Sequence, residues 1–323
     1  MALSTSLGAP LERAPRFKCL DVAALANVYK DIRMHNFTRR EMMGAALAGA
    51  ATLGSAALVN AEDAKKYEKP EGFKGEIKQS VCKWCYGGIP LDEFCETVKS
   101  MGLVGVDLID PKDWETVNKH GLTVTMGNVP EVQIQVGINR AENHDRIVAS
   151  YEKYIPMAAE LKVPNLISLS GNRAGLDDET GLKNCITALK RVAMTAEKYN
   201  VNVMLELLNS KDHQDYMADS TAWGVDLIKG VGSERVKLLF DIYHMHRMEG
   251  DVIYHIRKDI DCIGHFHTAG CPGRHDLDDQ QELYYPAIIR AIKDLGFKGF
   301  VAHEFTPKNG VDSLYNAIKL CDL

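Results

Sequence analysis

Short apolar runs alternate with amphipathic stretches along the chain from residue 77 onward. Each run has the length of a buried strand, and the stretches between the runs repeat their apolar residues with helical spacing. The pattern predicts strands at 77–83, 104–109, 122–126, 165–170, 201–207, 236–241, 262–268 and 299–304. It predicts helices at 91–101, 140–161, 182–199, 221–229, 252–257, 286–295 and 311–320. A strand followed by a helix is therefore the repeating unit.

This repeat predicts an α/β fold of the (β/α)8 TIM-barrel type, and we assign residues 77–323 to one such domain. The competing interpretation is a doubly wound open sheet, which normally has fewer repeats and a glycine-rich phosphate turn after its first strand. The residues from Cys85 to Gly88, which follow the first predicted strand, do not form that motif. We therefore favour the barrel.

The N-terminal residues have the pattern of an export signal. Arg39 and Arg40 precede an uncharged run, 42–59, that is rich in Ala, Gly and Leu, as in a twin-arginine (Tat) signal. We predict that residues 1–61 are this signal, that cleavage follows Ala61, and that the protein is periplasmic and meets the membrane only transiently. A retained anchor is the alternative, because the run approaches the length of a membrane span.

The first residues of this signal region and the segment that follows it have interpretations of their own. Met34 would give it a leader of normal length, so residues 1–33 are interpreted as an over-extended gene start. Residues 62–76 are charged and contain Pro and Gly, which predicts a linker to the barrel.

Composition and charge narrow the function classes. The chain is 46% hydrophobic and 25% charged, as in an ordinary globular protein. Its net charge is −6 although residues 1–61 are net basic, so the remainder is acidic and nucleic acid is not an expected partner. The eight cysteines are too scattered for a disulfide scaffold. Cys82-Lys-Trp-Cys85 has the spacing of a redox pair or half a zinc site, or it places two small residues in a buried strand.

The last four predicted strands end in residues that bind metals. These residues are Glu206, Asp241, His267 and Glu304. Side chains at the C-terminal ends of barrel strands converge on one face of the barrel. Any one of them alone is explained by a helix cap or an ion pair, but four in succession indicate a shared site. Three carboxylates and one imidazole favour one divalent ion, Mn²⁺, Mg²⁺ or Co²⁺, over thiolate-bound zinc.

Several motifs with fitting spacing occur in order over residues 75–310, and together they resemble the hydroxypyruvate isomerases. That family belongs to the sugar phosphate isomerase/epimerase superfamily with its xylose isomerase-like TIM barrel, which also includes the ketose 3-epimerases. The motifs are Leu205-Glu206-Leu-Leu-Asn209-Ser, Phe240-Asp241-Ile-Tyr-His244-Met, Gly264-His265-Phe-His267-Thr, Pro272-Gly-Arg274-His, Gln281-Glu282-Leu-Tyr-Tyr285 and His303-Glu304-Phe.

The resemblance implies roles for individual residues. The four strand-end residues match the family's metal ligands, and Glu206 and Glu304 match its acid–base pair. His244 matches a substrate-hydroxyl contact, and Arg274 falls near the family's substrate-binding arginine. His267 is of the epimerase type, since many hydroxypyruvate isomerases have Gln there, and this leaves the substrate open. The resemblance also implies pairing into a homodimer or a homotetramer.

The expected reaction is isomerisation of a small hydroxy-carbonyl substrate, hydroxypyruvate to tartronate semialdehyde or a close analogue. A metal ion stabilises the enediolate that forms when a proton leaves the carbon next to a carbonyl, and two flanking carboxylates serve as base and acid. A ketose or keto-sugar 3-epimerase is the nearest alternative, and a keto-glycoside lyase is another. Phosphodiester cleavage on the same barrel would need more metal ligands than the first half of the chain offers.

Two positions have secondary roles. His265 lies two residues before His267, hence on the same strand face, and either supports the metal site from behind or packs in the core. Lys83 and Trp84 end the first predicted strand, where one of them contacts an anionic or polar substrate or both are structural.

Overall fold

A computed structural model describes residues 67–323, in which eight parallel strands form one closed barrel. Each strand pairs with the next along the chain, and the eighth pairs with the first. The strands are β1 (Lys78–Cys82), β2 (Gly105–Ile109), β3 (Thr123–Gly127), β4 (Asn165–Ser168), β5 (Asn202–Glu206), β6 (Val236–Asp241), β7 (Ile263–Thr268) and β8 (Phe300–His303). The predicted (β/α)8 barrel is confirmed, and each predicted strand is present.

Helices surround the strands. Those of the described residues are α1 (Leu91–Ser100), α2 (Trp114–Lys119), α3 (His144–Glu160), α4 (Asp178–Tyr199), α5 (Thr221–Val231), α6 (Ile242–Met248), α7 (Val252–Asp259), α8 (Tyr285–Asp294) and α9 (Val311–Cys321). The sequence pattern does not predict α2 and α6. Each has fewer than two full turns, so helical periodicity cannot develop, and α6 starts directly where β6 ends.

The longest helix, α4, shows how local sequence sets these elements. Its first turn is polar, and the Asp177 side chain accepts a hydrogen bond from the backbone N–H of Thr180, which caps the N-terminus. Asn200 ends the helix in the left-handed conformation. Between the ends, residues such as Cys185, Leu189 and Val192 recur on the buried face. The predicted start at 182 is late because the polar first turn carries no hydrophobic periodicity.

The interior of the barrel is partly polar. Asp107 on β2 lies 3.0 Å from His265 on β7, and this contact crosses the interior because the two strands are not neighbours. The hydroxyls of Ser80 and Thr125 donate to the same carboxylate. Below the C-terminal ends of its strands, this barrel therefore holds a buried anion where branched aliphatic residues are common in TIM barrels.

Residues 67–76 lie against the barrel, although the sequence assigns them to a linker. The Tyr67 hydroxyl donates to Asp312 at the start of α9. The backbone N–H groups of Lys74 and Gly75 donate to the carboxylate of Asp322, at 2.6 and 2.7 Å. The predicted signal in residues 1–61, its cleavage site, and the first residues of the linker lie outside the described residues, and export stays a prediction. Over 67–323, no helix is both long enough and apolar enough to cross a membrane.

Replacing Gly105 with Ala should disrupt the pairing of β2 with β3. An added Cβ would lie 2.3 Å from the carbonyl oxygen of Thr123 and 2.6 Å from the Thr125 methyl group, and backbone cannot move away cheaply. We expect the free energy of unfolding to fall by about 1–3 kcal/mol, as for other overpacked sites, in urea titrations followed by circular dichroism. Gly88→Ala is the control, since its Cβ meets nothing within 4 Å. Equal effects of the two substitutions would contradict this account.

Candidate active site

The four predicted metal ligands meet at the C-terminal ends of the strands. Glu206 and Asp241 are the last residues of β5 and β6, His267 lies one residue before the end of β7, and Glu304 directly follows β8. Each contributes one ligand-type atom, and these atoms lie within 4.8 Å of one another. All four residues are buried. We call this group the inner cluster.

His267 lies between two sets of carboxylates. Its Nδ1 is 2.7 Å from Glu304 Oε2 and 3.5 Å from Glu206 Oε1, while its Nε2 is 2.9 Å from Asp107 Oδ2. Burial alone would lower the pKa of His267, but Glu304, Cys82 and Asp107 outweigh it and hold the pKa well above its usual value. With the Nε2 proton donated to Asp107, Nδ1 is left to face the inner cluster as a donor or as a metal ligand.

Asp107 is a site residue that the sequence interpretation missed. His265 Nε2 and His267 Nε2 both contact its Oδ2, so His265 reaches the inner cluster through this shared carboxylate. Burial would raise the pKa of Asp107, but the two histidines hold it well below its usual value, and the group stays ionised. The available signal was a single carboxylate in the middle of the apolar run Gly105-Val-Asp-Leu-Ile109.

Arg274 reaches into the inner cluster from the loop between β7 and α8. Its Nη2 donates to Glu304 Oε2 at 2.5 Å and lies 3.4 Å from Asp241 Oδ2. Its guanidinium is flanked by the rings of Trp84 and Tyr243, at 5.6 and 5.8 Å from their centroids. The positive charge therefore sits between two buried carboxylates.

The pKa values of these carboxylates move in opposite directions. Burial would raise the pKa of Glu304, but Arg274 and His267 hold it below its usual range. Burial raises the pKa of Asp241, and the charge of Glu304 adds to this effect although Arg274 opposes it. Glu304 has Arg274, His267 and Trp84 as close donors, whereas Asp241 lies farther from Arg274, at 3.4 Å.

The remaining predicted substrate contacts lie in different surroundings. The His244 backbone N–H donates to Asp241 Oδ1, its Nδ1 is 2.5 Å from Asn209 Nδ2, and its buried Nε2 finds no hydrogen-bond partner within residues 67–323. Lys83 turns away from the inner cluster, because its ammonium donates to the Tyr86 carbonyl and lies over the Phe94 ring. The structure therefore brings His244 to the edge of the inner cluster and leaves Lys83 outside it.

Trp84, the neighbour of Lys83, is the residue of this segment that reaches the site. Its Nε1–H donates to Glu304 Oε1 at 2.8 Å, and its ring lines the cavity. Since residues 83–86 form a short 3-10 helix instead of continuing β1, strand alternation does not determine where these side chains point.

A cavity of about 360 Å³ opens beside the inner cluster. Charged side chains line it, among them Glu206, Glu304 and Arg274. Apolar side chains line it too, including Val132 and Ile134 from the segment that joins β3 to α3. A small molecule in this cavity therefore meets carboxylates and a guanidinium as well as apolar side chains.

The inner cluster fits a divalent cation. Three carboxylates and one imidazole nitrogen form an oxygen-rich donor set, typical of sites for Mn²⁺, Mg²⁺ or Co²⁺. Burying three carboxylates together is costly without a positive charge, and Arg274 supplies one at the point between Asp241 and Glu304. The contact of His267 with Asp107 completes the arrangement, because metal-binding histidines commonly donate their second N–H to a carboxylate.

Removing the partner of His267 should weaken metal binding. In Asp107→Asn, the amide cannot hold the imidazole as a carboxylate does, and we expect the affinity for Mn²⁺ to fall about 10–100-fold. Isothermal titration calorimetry and electron paramagnetic resonance of free Mn²⁺ measure this change. Asp145→Asn, at an exposed carboxylate on α3, is the control and should bind Mn²⁺ normally. An unchanged affinity in Asp107→Asn would contradict the orienting role of Asp107.

Arg274→Gln should destabilise the metal-free protein, because buried Asp241 and Glu304 lose their compensating charge. We expect a loss on the order of 3 kcal/mol in urea unfolding with EDTA present. Mn²⁺ should recover more stability in this variant than in the wild type, since the ion replaces the missing charge. Arg290→Gln, on an exposed part of α8, is the control. Equal stabilisation of all three proteins by Mn²⁺ would refute this role of Arg274.

Comparison with known proteins assigns the family. Residues 114–320 match the family described as xylose isomerase-like TIM barrel. The 2-oxo-tetronate isomerase of Cupriavidus necator is 30% identical over 203 residues, which cover 63% of this chain and 72% of that protein. The hydroxypyruvate isomerase of Escherichia coli is 25% identical over 231 residues, 68% of this chain and 88% of that protein.

A solved structure shares the fold. The 3-keto-D-glucoside 4-epimerase of E. coli aligns with a TM-score of 0.65 at 18% identity, covering 76% of this chain and 98% of its own. The fold, the matched residues and the curated relatives agree. The chain therefore belongs to the xylose isomerase-like TIM barrel family and is an isomerase.

Proposed function

We propose that this isomerase is metal-dependent and interconverts hydroxypyruvate and tartronate semialdehyde, or a close hydroxy-carbonyl analogue. The observation that carries the proposal is the convergence of Glu206 and Glu304. They come from β5 and from the end of β8, contribute to the same inner cluster, and both line the cavity. The names of the relatives in C. necator and E. coli support a substrate of this class.

Glu206, Asp241, His267 and Glu304 would hold the metal ion, and Mn²⁺, Mg²⁺ and Co²⁺ suit this donor set. When bound, the ion supplies Lewis-acid stabilisation of the negative charge that develops on the substrate oxygens. Side chains of the protein carry out the proton transfer and bind the substrate.

The two glutamates carry the proton transfer. In hydroxypyruvate, one carboxylate takes a proton from C3, which gives an enediolate, and a proton returned to C2 gives the aldehyde. The hydroxyl proton moves from O3 to O2, so atoms and charge balance. Glu304 accepts hydrogen bonds from Trp84 and Arg274, which keep it ionised and fixed. Glu206 has His267 Nδ1 as a more distant neighbour, at 3.5 Å. We therefore assign the proton abstraction from C3 to Glu206, which then returns the proton to C2, and we assign to ionised Glu304 the transfer of the hydroxyl proton from O3 to O2.

Arg274 would bind the substrate carboxylate. It lines the cavity next to both glutamates, and a guanidinium binds a carboxylate through two parallel hydrogen bonds. When a metal ion compensates Asp241 and Glu304, Arg274 is no longer needed for their charge and becomes available to the substrate. His244, with its unpartnered Nε2 3.6 Å from Asp241 Oδ2, is the candidate donor to a substrate hydroxyl.

A ketose or keto-sugar 3-epimerase is the second candidate. The imidazole at position 267 is of the epimerase type, and the cavity of about 360 Å³ has room for a longer carbon chain than that of hydroxypyruvate. Epimerisation uses the same two glutamates, with the proton returned to the opposite face of the same carbon. A keto-glycoside lyase would share the abstraction step and then eliminate the substituent.

Deuterium exchange separates these candidates. The protein with Mn²⁺ or Mg²⁺ is incubated in deuterated water with hydroxypyruvate and with a panel of ketoses. We expect deuterium at C2 of tartronate semialdehyde and exchange at C3 of hydroxypyruvate. Exchange with inversion in a ketose alone would replace the proposal by epimerisation, and the absence of exchange in every substrate would reject both.

Substituting either glutamate should remove most of the activity. Glu206→Gln and Glu304→Gln keep the shape of the side chain but not its ability to take a proton, and we expect kcat to fall about 10²–10⁴-fold. Glu115→Gln, at an exposed position on α2, should keep wild-type kcat. Single-turnover exchange then assigns the order: if Glu206→Gln retains deuterium exchange at C3, the first abstraction does not belong to Glu206.

A further inference from the structure

A second group of potential metal ligands lies in the loop region that follows β6 and β7. It consists of His246 on α6, Cys271 after β7 and Glu282 before α8. One nitrogen, one sulfur and one carboxylate oxygen from these residues lie within 4.8 Å of one another. We call this group the outer cluster, and it shares no residue with the inner cluster.

We propose that the outer cluster is a second metal site, selective for Zn²⁺. A thiolate, an imidazole and a carboxylate are the common ligands of zinc, and three protein ligands leave a fourth tetrahedral position for water. The inner cluster offers oxygen and a single nitrogen and favours harder ions. The two clusters therefore differ in the metal that each prefers.

The geometry of the outer cluster is held by its backbone. The N–H of Glu282 donates to the carbonyl of Cys271 at 2.8 Å, which fixes the two ends of the loop side by side. His246 Nε2 lies 2.9 Å from Glu282 Oε1, so the imidazole already points at the carboxylate. Few conformational changes are then needed to bring the three donors around an ion, and this lowers the entropic cost of binding.

Two of the three side chains of the outer cluster are accessible to a zinc ion from solvent. Cys271 is buried, whereas the side chain of Glu282 is 60% exposed and that of His246 is 24% exposed. A site with a buried sulfur and two donors at the surface admits a hydrated ion from solvent and leaves water as its fourth ligand.

Without a metal, the Cys271 sulfur carries a proton. Burial raises the pKa of Cys271 to about 11, and the neighbouring carboxylate of Glu282 adds to this, so the thiol keeps its proton at neutral pH. Zinc binding replaces this proton: a Zn–S bond forms, the S–H bond breaks, and one H⁺ leaves to solvent without any change of oxidation state.

The outer cluster brackets the loop that carries Arg274. Residues 271 and 282 are its two ends, and Arg274 between them contacts Glu304 and Asp241. An ion that joins Cys271, Glu282 and α6 would hold this loop closed and thereby keep Arg274 near the substrate cavity. Zinc at the outer cluster is thus assigned a positioning role for that loop.

Cobalt spectroscopy tests the proposal without reference to activity. Co²⁺ bound by a cysteine thiolate gives a sulfur-to-metal charge-transfer band in the near ultraviolet, and a site of carboxylates and imidazole gives none. We expect this band on adding Co²⁺ to the purified full-length protein, and its loss when Zn²⁺ is added in excess. Cys271→Ser should abolish it, whereas Cys262→Ser, at the half-buried cysteine just before β7, should keep it.

Two more variants guard against misfolding of Cys271→Ser. His246→Gln and Glu282→Gln change partly exposed side chains. Loss of a residue that is only hydrogen-bonded to a metal ligand weakens metal binding about 10–100-fold, and loss of a ligand itself should weaken Zn²⁺ binding by more than this. Both should bind Mn²⁺ at the inner cluster as the wild type does. No charge-transfer band in the wild type would overturn the proposal. A band kept in Cys271→Ser and lost in Cys82→Ser would overturn it too, by placing the ion at Cys82, Asp107 and His267.

Discussion

The burial of three carboxylates around His267 is the constraint on which the rest of the site depends. Ionised carboxylates that leave water lose far more solvation than ordinary contacts return, so each needs a cation or a proton. His267 faces Glu206 and Glu304 with one nitrogen and Asp107 with the other, and its pKa is raised accordingly. The positive charge of His267, between the two glutamates and Asp107, lets these carboxylates stay ionised and holds them in place. The charge balance of the inner cluster is therefore a requirement of stability.

Arg274 adds a positive charge next to these carboxylates, and it does so from a loop. Its backbone adopts the left-handed conformation, with φ of 56°, which costs a residue with a side chain on the order of 1 kcal/mol. The neighbouring chain holds it there: its carbonyl accepts from Thr306, and Gly270 donates to His275 across the loop. The guanidinium is thus directed at Glu304 from a loop, whereas the four inner-cluster residues lie on or next to strands. A charge carried on a loop can exchange partners when an ion or a substrate arrives, and strand-borne ligands stay in place.

Much of the fold and the inner cluster could be predicted because both depend on periodic patterns. Strand repeats place Glu206, Asp241 and Glu304 at equivalent positions, and closure of the barrel brings them together without any detail of side-chain packing. Asp107 escaped prediction for a physical reason. Its role arises from a contact through the barrel interior to a strand more than 150 residues away in sequence, as the pairing with His265 shows. Local patterns contain no information on which interior side chains meet.

Loops and short helices limited the prediction in the same way. Lys83 and Trp84 were equal candidates in the sequence because strand alternation would have pointed one of them into the barrel. The chain instead turns into a 3-10 helix, which sends the Lys83 ammonium to the Tyr86 carbonyl and the Trp84 indole to Glu304. The choice depends on where a strand ends, and that point is set by tertiary contacts rather than by local propensity.

The cavity beside the inner cluster is lined by both charged and apolar side chains. Glu206, Glu304 and Arg274 are the charged groups of this lining that belong to the inner cluster or contact it. Val132 and Ile134 belong to the apolar part of the lining and lie on the segment between β3 and α3. Because the ends of β5 and β8 carry the two glutamates and a loop carries the apolar pair, the lining could change without any change of the glutamates. In the proposed reaction, proton transfer depends on the strand ends, and the β3–α3 segment is the part of the lining that can vary with the length and polarity of the substrate.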